Sequence, residues 1–171
     1  PGVTAVIGNG VVVDLAALID EMSQLEAAGI DVQSQLRISN RAHVIFPFHR
    51  LMEQMSEARK DRVQIGTTSR GIGPAYEDKI GRRGLRVADL FDTDAFRAAF
   101  DILVEDKKAL ASVFQLSDSV NYAEVRAKYE QLAARIKPMV CDTASLLNSS
   151  IAAGKKILFE GAQGTMLDID H

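Results

Sequence analysis

The chain has 171 residues, 47% of them hydrophobic and 25% charged, and carries a formal net charge of −3. That length suits one domain with a real core and is too short for two ordinary ones. The balance offers no global basic field to recommend nucleic acid, no apolar run long enough to span a bilayer, and one cysteine, Cys141, which excludes an intrachain disulfide and fits a reducing compartment.

Thr4 to Val13 mix Val, Ile and Gly, which predicts a short buried strand with a tight turn at Gly8-Asn9-Gly10. Asp14 stands where a helix N-cap belongs. It precedes Leu15, Leu18, Ile19, Met22 and Leu25 at helical spacing, and Gly29 follows as a stop. Leu36 to Ile38 and His43 to Phe46 give two further strand signals. Pro47 suits the first position of another helix, with Leu51, Met52, Met55 and Ala58 on one face. From Gly66 to Gly84 periodicity disappears, which predicts a long polar, glycine-rich loop. Structureless stretches of that size inside a compact domain are usually functional or disordered.

Asp92 and Thr93 can cap a helix whose stripe reads Phe96, Phe100, Leu103, Leu110 and Phe114. A second helical pattern runs from about Asn121 through Val125, Tyr129, Leu132, Ile136, Val140, Thr143 and Leu147, with a kink or break expected at Pro138. Together they predict an αα-hairpin that must bury its apolar stripes. Cys141 falls inside the second pattern, which argues for a buried, inert thiol. Lys156 to Glu160 reads as a buried strand, followed at once by a turn at Gly161 to Gly164. Strands alternating with helices argue for an α/β layer fold with a parallel sheet. No N-terminal signal pattern is present. Pro1 stands almost directly before a strand-like run and His171 follows no closing element, so both ends are expected to be cuts in a longer protein.

The first constellation with chemical potential is Gly66-Thr67-Thr68-Ser69-Arg70-Gly71-Ile72-Gly73-Pro74-Ala75-Tyr76-Glu77-Asp78-Lys79, followed by Arg82, Arg83 and Arg86. Glycines let the backbone approach a ligand, adjacent hydroxyls and N–H groups suit phosphate oxygens, and a guanidinium can pair with phosphate through two hydrogen bonds. A surface loop with solvated charges is the competing explanation. The second constellation is Glu160-Gly161-Ala162-Gln163-Gly164-Thr165, just past a predicted strand, where open α/β sheets gather ligands. The Gln163 amide could donate to a carbonyl or an oxyanion, or merely satisfy the backbone of a tight turn. Asp168 and Asp170 would share one side of an extended strand beside His171, but too few further ligands lie nearby in sequence to assign a metal. His43 and His49 flank a strand end and a helix start, as structural or solvated residues. No Gly-x-x-x-x-Gly-Lys-Ser/Thr loop occurs, so these residues alone are not expected to run an NTP-driven reaction.

Residues Gly66 to Lys79 with Arg82-Arg83-Gly84-Leu85-Arg86-Val87-Ala88-Asp89-Leu90-Phe91 closely resemble the central signature of adenylosuccinate synthetases. Phe159 to His171 resembles a second signature of that family, in the same order and at compatible spacing, and Ile7 to Val12 looks like its lead-in strand. The resemblance covers essentially the whole chain and is least distinctive in the hairpin. It implies a P-loop NTPase-like α/β fold, a three-layer, mostly parallel sheet with flanking helices plus the helical hairpin. The expected divisions are strand and helix units over 1–65, an IMP-phosphate loop over 66–90, the hairpin over 92–152, and a strand with the glutamine turn over 156–171.

The resemblance also implies a cytoplasmic, homodimeric ligase that joins IMP and L-aspartate using GTP and Mg²⁺ in AMP biosynthesis. GTP would phosphorylate O6 of IMP, and the aspartate amino group would then displace phosphate from 6-phosphoryl-IMP. Thr68 resembles the threonine that bonds the IMP 5′-phosphate, and Arg82 the arginine that reaches the IMP phosphate of the partner subunit. Gln163 resembles the glutamine that contacts the purine and stabilises the developing O6 oxyanion, a catalytic role. Ser69 stands where many members carry glycine. The family's phosphate loop, its general-acid histidine and its Mg²⁺ ligands would precede residue 1. Its guanine- and aspartate-binding segments, with a further phosphate-binding threonine, would follow His171, so the segment alone is expected to be inactive. The alternative is a stand-alone, non-catalytic nucleotide-binding or dimerisation module.

Overall fold

The computed structural model describes residues 2–57, 68–113 and 120–161. The expected first strand is two: β1 (Ala5–Ile7) and β2 (Val12–Val13), parted by the turn at Asn9 and Gly10. The turn sends them into different sheets, and β1 is partly exposed rather than buried. Asp14 then starts α1 (Leu15–Ala27), its Oδ1 accepting from the Ala16 and Ala17 N–H groups at 3.0 and 3.2 Å. Gly29 ends the segment in the left-handed region (φ +83°). Leu15 and Met22 are buried, whereas Leu25 is exposed. A single helical turn, α2 (Val32–Gln35), too short to show periodicity, leads into β3 (Leu36–Ser39), and β4 (His43–Val44) follows.

Pro47 opens α3 (Pro47–Glu57) as expected, but the buried face is Phe48, His49, Glu53 and Met55, with Leu51 and Met52 only half-buried. Ala58 lies outside the described residues. The expected featureless stretch contains a nine-residue helix, α4 (Ile72–Ile80), which corrects the loop expectation. A short 3₁₀ turn (Val87–Phe91) leads to α5 (Thr93–Val113), where Leu110 is exposed and Lys107 and Ala111 are buried. Phe114, the last residue of the expected stripe, lies outside the described residues. Asn121 caps α6 (Tyr122–Ile136).

Pro138 does break this helix. A 3₁₀ turn (Lys137–Met139), β5 (Val140–Cys141) and α7 (Thr143–Ala152) follow, so Val140 and Cys141 are extended rather than helical and the thiol is half-buried. Asp142 restarts the helix by accepting from the Ala144 and Ser145 N–H groups. Lys156 to Glu160 forms no strand among the described residues, and Leu158 and Phe159 are 90% and 73% exposed.

All strand pairs among the described residues are parallel. The order β1-β3-β5 gives one sheet, with Ala5 opposite Leu36 and Ile38 opposite Val140, and β2-β4 gives a second, with Val12 opposite His43. Parallel neighbours require crossovers, and the helices supply them. The core joins the sheets to α5 and α6 through an aromatic cluster. Phe46 lies 4.5 Å from Tyr129, 5.2 Å from Phe48 and 5.3 Å from Phe100, between ring centroids. Burying a ring such as Phe100 contributes about 1.5–3 kcal/mol. The Tyr129 hydroxyl donates to the Ile45 carbonyl at 2.7 Å, so this buried polar group is satisfied.

Candidate functional site

The described site residues are arranged around α4. His49 and Glu53 are four apart on α3 and therefore share one face, which is turned to α4. The Phe46 N–H donates to His49 Nδ1 at 2.9 Å, so Nε2 carries the proton and donates to Asp78 Oδ2 at 2.9 Å. Lys107 Nζ, reaching in from α5, donates to Asp78 Oδ1 at 2.6 Å. His49, Asp78 and Lys107 are all at least 95% buried. Burial holds His49 below the ordinary histidine range despite the neighbouring carboxylate. Burial acts to raise Asp78, but hydrogen bonds from His49 and Lys107 outweigh it and leave its pKa below the usual carboxylate value. The result is an ionised carboxylate held between a neutral imidazole and an ammonium.

Both ends of α4 have unusual backbone. At its start Ser69 has φ +53° and Gly71 φ +78°. A Cβ on Gly71 would lie 2.7 Å from the Arg50 nitrogen and 2.8 Å from the His49 carbonyl carbon, so only glycine fits against α3 there. The Gly71 N–H donates to Glu53 Oε2 at 2.6 Å. At the other end, the Arg82 N–H donates to the Lys79 carbonyl (3.2 Å) and the Arg83 N–H to the Asp78 carbonyl (2.9 Å). This is a Schellman-type ending with Arg82, at φ +58°, in the position that glycine normally takes.

The basic residues around α4 differ sharply in what they do. Lys79 Nζ donates to the Asn9 and Gly10 carbonyls at 2.8 and 2.9 Å, and the Tyr76 hydroxyl donates to Gly10 at 3.0 Å, so both hold the turn between β1 and β2. Burial lowers the Lys79 pKa. Arg83 Nε lies 3.6 Å from Asp78 Oδ1. Arg82 is exposed and makes no ion pair among the described residues. The His43 ring packs beneath the following turn, where a Cβ on Gly84 would come within 2.8 Å of it. Burial, with Lys79 and Arg86 nearby, depresses the His43 pKa.

Thr68 is exposed one residue before the strained turn, and Arg82 is exposed just past the helix. Both are legible in the motif, whereas the Glu53, Asp78 and Lys107 framework between them is not. The spacing of His49 and Glu53 on one helical face is the one signal of it that the sequence carries. Gln163, Asp168, Asp170 and His171 lie outside the described residues, as do Gly66, Thr67 and the glycine turn after Gly161. Among the described residues no three His, Cys, Asp or Glu side chains gather as a metal site, so none is assigned to Mg²⁺. No described helix is long and apolar enough to cross a membrane. A concavity of about 430 Å³ between Asp31, Gln33, Ser34, Arg37 and Pro138 involves neither α4 nor its flanking turns, and we assign it no role.

A family model described as adenylosuccinate synthetase matches residues 1–171. The chain is 58% identical over its full length to an adenylosuccinate synthetase of Solibacter usitatus and 47% identical to one of Koribacter versatilis, covering 39% of each relative. It therefore spans about two-fifths of the length of the curated relatives it matches. A solved structure of fully ligated adenylosuccinate synthetase from Plasmodium falciparum superposes with a TM-score of 0.86 at 30% identity, over 98% of this chain and 38% of that one. The fold is thus the P-loop-like α/β fold of that structure, with mostly parallel sheets and flanking helices.

Proposed function

Because this chain belongs to the adenylosuccinate synthetase family, we propose that it supplies the IMP-phosphate-holding part of an enzyme that joins IMP and L-aspartate to adenylosuccinate, with GTP and Mg²⁺. The enzyme is cytoplasmic and homodimeric in this reading. Residues 1–65 are the strand and helix units, 66–90 hold the phosphate, 92–152 carry the helical hairpin with the strand and helix that follow it, and 156–171 present Gln163. GTP supplies the phosphoryl group that turns O6 of IMP into a good leaving group. The Thr68 hydroxyl donates to the 5′-phosphate of the subunit's own IMP. Arg82 pairs with the phosphate in the partner subunit. The Gln163 amide donates to O6 as negative charge develops there.

The observation that carries this reading is the state of Arg82. Lys79 is engaged by backbone carbonyls and Arg83 lies beside Asp78. Arg82 is exposed, has no ion pair among the described residues, and is held in a backbone conformation unfavourable to arginine. Strain of this kind persists where the surroundings enforce it and concentrates at binding sites.

The test is steady-state kinetics of the full-length enzyme that contains this segment. Arg82→Ala removes a charge-assisted pair, and KM for IMP should rise roughly 10- to 150-fold. Gln163→Ala should instead lower kcat, by about 10²-fold, with little change in KM. Small, equal effects on both parameters in both variants would end the assignment.

A further inference from the structure

We propose that Glu53 is a positioning residue for phosphate recognition, acting through Gly71 on Thr68. The inference rests on Thr68 being a phosphate ligand. It starts from a buried carboxyl group: Glu53 is 5% exposed, lies on the α3 face turned to α4, and accepts the Gly71 N–H at 2.6 Å. Its position is not explained by stabilising a helix from within, since the two residues are 18 apart in sequence.

The segment it holds is one that would not hold itself. Ser69 and Gly71 both have positive φ, and α4 begins without any side-chain cap of its own. A left-handed serine is disfavoured by about 1–2 kcal/mol, so local preference alone does not select this conformation over its alternatives. What selects it is external. The Gly71 carbonyl accepts from the Ala75 N–H at 3.2 Å, starting the helix, while its N–H is fixed by Glu53 and its α-carbon is pressed on the backbone of His49 and Arg50. Both peptide groups of Gly71 are therefore anchored, and Thr68 lies three residues upstream with its side chain exposed.

Helix N-termini attract anions, and a free Gly71 N–H would be a ready phosphate donor. Glu53 occupies it. Glu53 thus removes the helix terminus as a competing anion site and leaves the hydroxyl of Thr68 as the contact this segment presents.

The experiment uses the full-length enzyme with Thr68→Ala, Glu53→Ala, Glu53→Gln and the double variant Thr68→Ala/Glu53→Ala. Glu53→Ala should raise KM for IMP about 10-fold or more, with kcat and the KM values for GTP and L-aspartate within about threefold of wild type. Glu53→Gln keeps an amide oxygen at the same reach and should restore KM for IMP to within about threefold. The double variant should match Thr68→Ala alone within about twofold, because the two residues act in series. If Glu53→Ala lowers the melting temperature while leaving KM for IMP unchanged, Glu53 is merely structural and the inference is wrong. It is wrong, too, if the two single effects multiply in the double variant. Should Glu53→Ala not fold, Glu53→Asp withdraws the carboxyl by one methylene, and an unchanged KM for IMP there is equally fatal. A Thr68→Ala enzyme with normal KM for IMP would remove the phosphate reading itself, and this inference with it.

Discussion

Replacing Arg82 by glycine should make the protein more stable and its IMP binding worse. Arg82 occupies the left-handed position of the α4 ending at φ +58°, with the Arg82 and Arg83 N–H groups already bonded to the Lys79 and Asp78 carbonyls. Those backbone bonds survive any side-chain change. A left-handed residue with a Cβ costs about 1–2 kcal/mol. Glycine removes that cost but loses roughly 0.5–1 kcal/mol through greater freedom of the unfolded chain. The net expectation is a gain of about 0.5–1 kcal/mol, read as a small rise in melting temperature. Arg82→Ala keeps a Cβ and should gain nothing. Ser69→Gly, at φ +53°, should give a similar stabilisation without loss of IMP affinity. Calorimetry of the three variants of the full-length enzyme, paired with KM for IMP, makes the comparison. A destabilised Arg82→Gly would show that the side chain holds the fold together. A stabilised variant with normal KM would show that the strain serves no purpose in phosphate recognition.

Two further outcomes follow from the buried cluster. Lys107→Met should cost about 3–5 kcal/mol, because it leaves the Asp78 carboxylate, 1% exposed, without its buried cation. Adding Asp78→Asn, whose amide oxygen still accepts from His49, should recover part of that loss in urea denaturation; a double variant less stable than Lys107→Met contradicts the charge assignment. Stability should also fall on acidification. His43 and His49 have folded pKa values below 6.5, so the unfolded chain takes up protons that the folded one refuses. Their contribution is complete above that value and is lost as pH drops below it. Asp78, depressed below 3.8, adds a second loss at still lower pH. Around His49 the facing charges are Asp78, Lys107 and Glu77, and of these only Lys107 opposes protonation. A melting temperature that rises between pH 7 and 5.5 would overturn this reasoning.

What is legible in the sequence is what is local. Asp14, Asn121 and Pro47 each mark a helix start because capping and proline geometry depend on neighbours a few residues away. Pro138 marks a break for the same reason. Short strands are less legible, since two residues such as Val12 and Val13 gain their identity from pairing with His43 and Val44. Val140 and Cys141 continue a helical stripe in sequence, yet they pair with Ile38 and Ser39 because the proline has already turned the chain. The helix α4 is hidden by its own composition. Gly71, Gly73 and Pro74 read as breakers, but Pro74 sits in the first turn, where its missing N–H costs nothing.

The site divides along the same line. Thr68 and Arg82 can be named from motif and chemistry, as side chains suited to phosphate. The residues that fix their positions cannot, because Glu53 meets Gly71 across 18 residues, and His49 and Lys107 each meet Asp78 across 29. A glutamate in an amphipathic helix reads as solvated, and a lysine in a long helix reads as surface. Each is buried here only because a partner of opposite need waits on another element. The positive φ values of Ser69, Gly71 and Arg82 belong to the same class, since none is a local minimum for its residue except at the glycine. Local preference alone would relax both Ser69 and Arg82 out of the left-handed region. The sequence names the groups proposed to touch the nucleotide, while the long-range hydrogen bonds of Glu53 and Asp78 hold α4 against α3 and α5.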